Sequence, residues 1–409
     1  MSNDFYETGF FNPYLSHFLY INDIFLMLSL LFLGLHFVFK KKSLDNEFVH
    51  GDMWLNVIVG LLFVMYVFSL LFSVNKINSA FYLVRYFEFF VVFLLISHGF
   101  VKIKTAIYCL LSSLFLVTLI GISQYIFQHS IGLKFLGEPA ISVDTLGAAK
   151  IALLDHDILR AYGTFSHPNV FAGYLVFAIF FSIYFWKERK RVFTFAMIVF
   201  LIGLILTFSR SAFLAVIAGI IVYYSLTEIK ISWKYLLIGS GALLLFIVFF
   251  DLASILSYRF LIGDENSLYE RGILYSTAKQ MFFDNLSGVG AGNFTEVVQS
   301  YVGDKLMPWQ FQPVHNIFVL LLDEIGVWGF GTFVFMFAYL FYLLMKELRA
   351  TFVDKKFSAV LLSLLFGIFV IGMFDHYFIS LYQGQAILWV FLGIVGNVRH
   401  RGELTLLKS

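Results

Sequence analysis

The feature that most constrains this chain is a series of long apolar runs, separated by short charged loops. A run of about 18 or more apolar residues can cross the hydrocarbon core of a bilayer as a helix. About eleven runs of this kind lie near residues 20–39, 54–73, 79–100, 105–127, 168–186, 192–207, 210–226, 235–254, 316–345, 357–374 and 379–397. They are continuous rather than alternating, which argues against membrane β-strands. The pattern predicts an all-α polytopic membrane protein of about 11–12 transmembrane helices, with residues 1–409 as a single membrane domain.

Composition supports this prediction and excludes several classes of function. Only 13% of the residues are charged, against about 25% in soluble proteins. The formal net charge of +2 gives no reason to expect a nucleic-acid partner. Cys109 has no second cysteine to pair with, and no Cys or His spacing predicts a metal site or another cofactor. The N-terminus lacks the basic region of a cleaved signal peptide.

The distribution of Lys and Arg predicts the side on which each loop lies. On an eleven-span path the basic loops, such as 40–42, 102–104, 187–191 and 346–356, all fall on one side, which we expect to be cytoplasmic. An extra membrane segment near residues 5–14 would change only the N-terminal side. Two long polar loops, 128–167 and 255–315, then lie on the outer face of the cytoplasmic membrane. The second contains helix-like pieces, which we expect to form a short cap.

Charged side chains inside apolar runs are costly and need an explanation. Arg85 and Glu88 share one face of the third span. They either neutralise each other, or Arg85 helps to bind an anionic ligand. Arg210 lies in the tight turn between the sixth and seventh spans, where Ser209 is expected to cap the next helix. A helix N-terminus beside an arginine suits a phosphate group, although an arginine that snorkels to the interface would have the same pattern.

The first long loop ends in the segment RAYGTFSHPNVFAGYL, which contains Arg160 and His167. Pro168 and Asn169 suit the start of a helix. His167 therefore either caps this helix or acts on the substrate, as a proton carrier or a hydrogen-bond donor. Arg160 is a candidate phosphate contact.

His315 and Asn316 stand where the ninth span begins, in VHNIFVLLLDEIGVWG. Imidazole titrates near neutral pH, which suits a general base; a structural histidine at the interface is the alternative. Asp323 and Glu324 lie about two turns deeper, and at least one should face the protein interior. This span is expected to be a short helix to Glu324, then a break, then the crossing itself.

The second long loop and the last loop add further candidates. Arg271 lies on an expected short helix, and the segment GVGAGNF follows it. This segment has no preceding strand and no Gly-Lys-Ser/Thr, so a tight turn with close backbone approach is favoured over a nucleotide site. Asp375 and His376 fall at the outer end between the last two spans and could contribute to the same site.

Six candidates map to the outer side on this topology: Arg160, His167, Arg210, Arg271, His315 and His376. Such arginines indicate a polyanionic ligand such as a pyrophosphate, and such imidazoles indicate proton transfer from an alcohol.

Four blocks resemble the O-antigen ligase / O-antigen polymerase family of bacterial membrane glycosyltransferases. They are RAYGTFSHPNVFAGYL, LTFSRSAFLA, ERGILYSTAKQMFFDNLSGVGAGNF and VHNIFVLLLDEIGVWG, and the resemblance extends over about 160–396. Residues 285–287 depart from the pattern, because family members often have a proline before GVG. The blocks do not separate ligases from polymerases.

The resemblance implies a GT-C-like glycosyltransferase that uses neither a metal nor another cofactor. Such an enzyme takes a glycan from an undecaprenyl-pyrophosphate-linked oligosaccharide donor and passes it to a hydroxyl of a glycan or lipid-core acceptor, among the membrane lipids. Arg210 and Arg271 would hold the pyrophosphate, and His315 would be the base. The other substrate-binding candidates are Arg160, His167, Asn316, Glu324, Asp375 and His376.

A ligase with a protein acceptor, or a flippase or exporter of the same lipid-linked glycan, is the alternative. An exporter should have polar residues along the membrane midplane, whereas here, apart from Arg85 and Glu88, they gather at the outer end.

Overall fold

The computed structural model describes residues 14, 20–40, 51–152, 157–227, 265–303, 306–307, 310–350 and 354–397. Its helices are α1 (Ile21–Lys40), α2 (Met53–Ser69), α3 (Lys76–Ser97), α4 (Ile103–Phe127), α5 (Pro168–Phe185), α6 (Lys190–Thr207), α7 (Arg210–Leu226), α8 (Glu265–Asp284), α9 (Phe294–Val302), α10 (Ile317–Arg349), α11 (Lys355–Phe374), α12 (Tyr377–Ser380) and α13 (Tyr382–Gly396). Two short strands, β1 (Lys150–Ala152) and β2 (Asp157–Leu159), form an antiparallel hairpin.

The helices confirm the prediction of an all-α polytopic membrane protein. Among the described residues, α3, α4, α5, α6, α10 and α11 are long and apolar enough to cross a membrane. Helices α2, α7 and α13 and the segment Ile21–Phe32 of α1 are shorter and also apolar. The predicted span 235–254 and most of the possible N-terminal segment 5–14 lie outside the described residues.

The chain packs as two compact units, of which one comprises residues 106–269 and 354–374. In this unit α6 and α7 each contact α5, and α11 packs along α7 and α5. A Cβ atom on Gly203 of α6 would lie 2.5 Å from the Thr118 methyl carbon, and one on Gly219 of α7 would lie 2.4 Å from the Phe180 ring. Helices in lipid associate through close packing rather than through the hydrophobic effect. These two glycines therefore allow the helix contacts that hold the unit together.

The other unit comprises residues 1–105, 270–353 and 375–409. Here α2 packs on α10, and α3 packs on α13. Glycines again permit the approach, since a Cβ on Gly393 of α13 would lie 2.8 Å from the Ile96 side chain of α3. Arg85 of α3 is buried, and its Nη1 lies 2.6 Å from Asp23 Oδ1 and 2.9 Å from Glu88 Oε2. The interpretation of Arg85 and Glu88 as a neutralising pair is confirmed, with Asp23 as a second partner.

Helix α10 breaks at Gly326, where φ is 69° and ψ is −176°, as the glycine-rich sequence predicted. The break frees two backbone carbonyls inside the protein, and buried carbonyls need donors. The glycine loop (residues 288–292) supplies them. Val289 N–H donates to Asp323 O at 2.8 Å, and Gly290 N–H donates to Glu324 O at 2.9 Å. The loop and the broken helix are therefore joined by backbone hydrogen bonds.

The glycine loop follows its path because three of its residues adopt conformations that favour glycine. Gly288, Gly290 and Gly292 have φ values of 86°, 96° and 76°. A Cβ on Gly288 would lie 2.5 Å from Glu324 O, and one on Gly292 would lie 2.1 Å from a ring carbon of Tyr82. The predicted role of these glycines, a tight turn with close backbone approach, is confirmed.

The first long loop is more ordered than a connecting segment, because it contains the β1–β2 hairpin. It is anchored by Glu138, whose carboxylate accepts hydrogen bonds from Gln124 Nε2 at 2.9 Å, Ile131 N at 2.7 Å and Leu133 N at 2.5 Å. Burial raises the pKa of Glu138, but these hydrogen bonds more than offset burial and hold the pKa below its ordinary value. Glu138 therefore remains ionised while it fixes the start of this loop.

Candidate active site

His315 is held at the start of α10 by its neighbour. Asn316 is the N-cap of the helix, and its Oδ1 accepts hydrogen bonds from Phe318 N at 2.9 Å and Val319 N at 3.2 Å. A side-chain cap satisfies backbone donors that have no partner inside the helix. The Tyr275 hydroxyl lies 3.3 Å from His315 O, to which it donates. The backbone around His315 is thus fixed. Asn316 caps the helix, and Tyr275 bonds to the His315 carbonyl.

The His315 side chain faces the segment that precedes α12. Its Nδ1 lies 3.8 Å from Asp375 Oδ1, and its ring centroid lies 5.0 Å from that of His376. The His315 side chain is 12% exposed and that of Asp375 is 5% exposed. A carboxylate beside a nearly buried imidazole can orient the ring and stabilise its protonated form. The structure therefore brings together three residues that the sequence separates by about sixty positions.

His376 is oriented by its own helical turn. Its Nδ1 lies 2.6 Å from Ser380 Oγ, and the Ser380 hydroxyl donates to His376 O at 3.1 Å. Because that hydroxyl proton is already used, His376 Nδ1 is assigned as the donor to Ser380, which leaves Nε2 with a lone pair. Tyr14 meets the same ring edge to face, with centroids 5.5 Å apart. Burial, and then the charge of Asp375, raise the pKa of the Tyr14 phenol. Nothing in the sequence pointed to Ser380 or Tyr14.

Arg271 lies on α8, one turn before Tyr275. Residues four apart on a helix lie on the same face, so the helix that contacts the His315 backbone also carries this arginine. Arg271 is half-buried, and within the described part of the chain its Nε has no hydrogen-bond partner. A guanidinium with an unused donor can bind an anion. Tyr275 itself was not among the residues predicted from sequence.

Arg160, His167 and Arg210 lie in the other unit, around the α6–α7 turn. His167 is the N-cap of α5, and its Nδ1 accepts a hydrogen bond from Asn169 N at 3.1 Å. The capping interpretation of His167 is thereby confirmed, and its role in substrate binding stays a prediction. Arg160 is only 4% exposed, and its guanidinium donates to Thr207 O and to Asn169 Oδ1, each at 2.6 Å. These contacts tie the guanidinium to the turn, so its use as a phosphate contact stays a prediction.

Arg210 is the first residue of α7, after Phe208 has turned the chain with a positive φ of 50°. The side chain of Arg210 is half-buried. Ser209 occupies the N-cap position, but its hydroxyl lies 3.4 Å from Ser211 Oγ and makes no cap hydrogen bond. The expected Ser209 cap is therefore wrong, since neighbouring hydroxyls pair instead. Arg210 keeps the predicted position at a helix N-terminus, which favours anions.

Asp323 and Glu324 both face the interior, with 0% and 5% exposure. The Glu324 carboxylate is 3.4 Å from Phe294 N, at the start of α9, so it supports the segment that follows the glycine loop. Neither carboxylate oxygen of Asp323 has a hydrogen-bond partner within the described residues. The predicted inward orientation is confirmed for both acids, and the role of Glu324 in substrate binding stays a prediction.

Comparison with known proteins gives a match for the part of the chain that contains Arg210, Arg271 and His315. Residues 195–334 match the model of the O-antigen ligase family. A chain from the solved structure described as "Structural coordination of polymerization and crosslinking by a peptidoglycan synthase complex" is 16% identical, with a TM-score of 0.40, and the match covers 87% of this chain and 99% of that one. No curated protein sequence matches the chain.

The matched region contains Arg210, Arg271 and His315. It also contains the α6–α7 turn, the glycine loop and the break in α10. The match indicates a membrane enzyme that transfers glycosyl groups. The resemblance of this multi-pass membrane protein to the O-antigen ligase family is thus confirmed over residues 195–334.

Proposed function

We propose that the chain transfers a glycan from an undecaprenyl-pyrophosphate carrier to a sugar hydroxyl of a glycan or lipid-core acceptor, without a metal, on the outer face of the cytoplasmic membrane. One observation carries this proposal. His315, which lies inside the region that matches the O-antigen ligase family, is 3.8 Å from the carboxylate of Asp375, which lies beyond that region, and Tyr275 contacts the His315 backbone one turn from Arg271. A base and an anion-binding side chain are thus held by one packed group of elements.

The chemistry assigns a task to each group. His315 removes the proton of the acceptor hydroxyl as its oxygen attacks the anomeric carbon of the donor sugar. The bond from that carbon to the pyrophosphate oxygen breaks, and its electron pair leaves with the lipid pyrophosphate. A single displacement inverts the configuration at the anomeric carbon. Asp375 stabilises the imidazolium that forms on His315, and His376 contributes to binding the acceptor.

Arginines take up the charge that develops on the leaving group. Departure of a pyrophosphate concentrates negative charge on its bridging and terminal oxygens, and fixed guanidinium groups stabilise such charge. Arg271 on α8 and Arg210 at the N-terminus of α7 are the two that we assign to the pyrophosphate. Both lie within the region that matches the family, and a helix N-terminus adds to the effect of Arg210.

Removal of these groups tests the proposal. In a host that lacks the native activity, His315→Ala should lower transfer by about 100- to 10,000-fold, and Arg210→Ala and Arg271→Ala by about 100- to 1,000-fold each. The exposed residues His129 and Arg191 provide matched controls, and their alanine variants should keep full transfer. All five variants should reach the membrane in equal amounts. Full activity in all three site variants would refute the assignment.

The product that accumulates distinguishes the possible acceptors. Unpolymerised lipid-linked repeat units in the variants indicate a polymerase. Polymer of normal length that remains on its carrier indicates a ligase. Transfer by the purified protein from a lipid-linked donor to an added acceptor, glycan or protein, separates both from an exporter, which would move the donor across vesicles without forming a glycosidic bond.

A further inference from the structure

The group formed by His315, Asp375 and His376 has the composition of a metal site. Each residue offers one nitrogen or oxygen atom, and the three atoms all lie within 4.8 Å of one another. Two imidazoles and one carboxylate form a donor set typical of zinc and related transition-metal ions, whereas magnesium and calcium prefer oxygen alone. Spacing in the sequence could not reveal this group, because α10 and α11 lie between His315 and its two partners along the chain.

His376 is prepared to act as a ligand by its neighbour. The 2.6 Å contact between its Nδ1 and Ser380 Oγ leaves Nε2 as the ring atom with a lone pair. Metal-binding histidines commonly donate their other ring N–H to a fixed acceptor, which sets the tautomer and the ring orientation. The backbone N–H of His376 also donates to Asp375 Oδ1 at 2.9 Å. The two neighbouring ligands are therefore positioned by hydrogen bonds within their own segment.

A second indication of a metal site comes from the His315 side chain. Its Nδ1 is buried and has no hydrogen-bond partner within the described residues. A buried polar atom without a partner is uncommon in native structures and costs free energy. The carboxylate atom that faces it is Asp375 Oδ1, at 3.8 Å. With neutral imidazoles the three side chains carry one negative charge, which a divalent cation would compensate.

The separations are compatible with a bound ion after a small adjustment. Zn–N and Zn–O bonds are about 2.0–2.2 Å long, so two ligands at the tetrahedral angle are about 3.4 Å apart. The His315–Asp375 separation of 3.8 Å is close to that value. The widest pair, at no more than 4.8 Å, needs to close by at most about 1.4 Å. Rotation of the His315 side chain, which is 12% exposed, can provide such a movement.

We propose that His315, Asp375 and His376 bind one divalent transition-metal cation of the zinc class, and that this cation inhibits glycan transfer. The inhibitory part rests on the proposed function. An imidazole whose lone pair is bound to a metal cannot accept the proton of the acceptor hydroxyl, so the metal and the reaction compete for His315. Removal of the cation restores the base.

Binding is tested on the full-length protein in detergent, after treatment with a chelator. Co²⁺ added to the wild type should give the visible absorption of a nitrogen- and oxygen-ligated ion, saturate at one equivalent per chain, and be displaced by Zn²⁺. His376→Ala and Asp375→Asn should weaken Zn²⁺ binding by about 100-fold or more, and Ser380→Ala by about 10- to 100-fold. His129→Ala, at an exposed histidine in the other unit, should bind as the wild type does.

Thermal unfolding without metal identifies any variant that fails to fold, and Ser380→Ala then serves as the deciding variant. Absence of stoichiometric binding to the wild type, or equal Zn²⁺ affinity in the wild type and Ser380→Ala, would overturn the site. Zn²⁺ should also lower transfer by the wild type, and a chelator should restore it. Unchanged transfer at saturating Zn²⁺ would overturn the inhibitory role. Binding is measured without a glycan donor, so failure of the proposed transferase activity leaves the binding result intact.

Discussion

Asn293, which follows the glycine loop, gives the most quantitative prediction. The side chain is 0% exposed. Its Nδ2 lies 2.8 Å from Ser73 Oγ, 3.1 Å from Ser79 Oγ and 3.0 Å from Val289 O. Its Oδ1 accepts a hydrogen bond from Asn78 Nδ2 at 2.9 Å. One amide therefore joins the loop to the start of α3 from both its donor and its acceptor atoms.

The same contacts rank two substitutions. The two amide hydrogens of Asn293 are shared among its three donor contacts. Asn293→Ala therefore removes two donated hydrogen bonds and one accepted bond, each worth about 1 kcal/mol net, so it should destabilise the protein by about 3 kcal/mol. Its partners are not left unsatisfied, because Ser73 and Ser79 also bond to each other at 2.8 Å. Val289 O also accepts from Val74 N at 3.0 Å, and Asn78 Nδ2 also donates to Gly292 O at 2.8 Å. Asn293→Asp keeps the size but places an acceptor against Val289 O, which cannot donate. We expect Asn293→Asp to cost about 1–3 kcal/mol more than Asn293→Ala, since it buries a mismatched polar group.

Thermal unfolding of the purified variants in one detergent measures this order. Ser300→Ala on α9 is a suitable control, because Ser300 is exposed and, among the residues that the structure describes, its hydroxyl bonds only to Val297 O in its own helix. It should change stability by no more than about 0.5 kcal/mol. An Asn293→Asp variant as stable as Asn293→Ala, or more stable, would refute the argument that the amide donor holds the loop.

Three further predictions concern single positions. Arg160→Met removes the guanidinium hydrogen bonds to Thr207 O and Asn169 Oδ1 and should destabilise by about 2–5 kcal/mol. Arg160→Lys should lose about half as much; equal melting temperatures for the two variants would contradict this expectation. Gly292→Ala should destabilise by at least about 2 kcal/mol, from its positive φ and the clash with Tyr82, and wild-type thermal stability would contradict this. Because the folded-state pKa of Glu138 is lowered, its contribution is complete above about pH 4.3 and is lost as the pH falls through the folded-state value. The difference in stability between wild type and Glu138→Gln should therefore be largest near neutral pH and shrink in acid; a difference that is independent of pH would be inconsistent with an ionised anchor.

The helices could be predicted because membrane crossing imposes a length and a composition that are visible locally. Ser209 shows the limit of local rules, since its type suited a cap but Ser211 offered another partner. Contacts between distant segments were beyond such rules. Arg160 donates to the carbonyl of Thr207, 47 residues later, and no spacing pattern indicates which carbonyl a buried guanidinium will meet. The β1–β2 hairpin was missed for the same reason, since its pairing depends on the path of the surrounding loop.

In the candidate site, too, local features could be predicted from sequence and contacts between distant segments could not. The types and neighbourhoods of His315 and Arg271 could be judged from sequence, because His315 lies beside a helix boundary and Arg271 lies on a short helix that the local sequence predicts. The distances from His315 to Asp375 and His376 could not, because two long helices separate them in the chain. Ser380, which orients His376, and Tyr275, which contacts the His315 backbone, are polar residues in apolar or helical segments. Without the fold, such residues are indistinguishable from those that merely bond to their own helix.

The break at Gly326 divides α10 into two parts with separate tasks. Residues 327–349 rise about 34 Å at about 1.5 Å per residue, which is sufficient to traverse a hydrocarbon core of about 30 Å. The preceding residues 317–325 are therefore not required for crossing and form a short platform with His315 at its end. Because that platform is bonded to the glycine loop, the depth of the imidazole in the protein is set by the loop rather than by the thickness of the bilayer. This arrangement would keep His315, the proposed base, at a constant height while the membrane around it changes thickness.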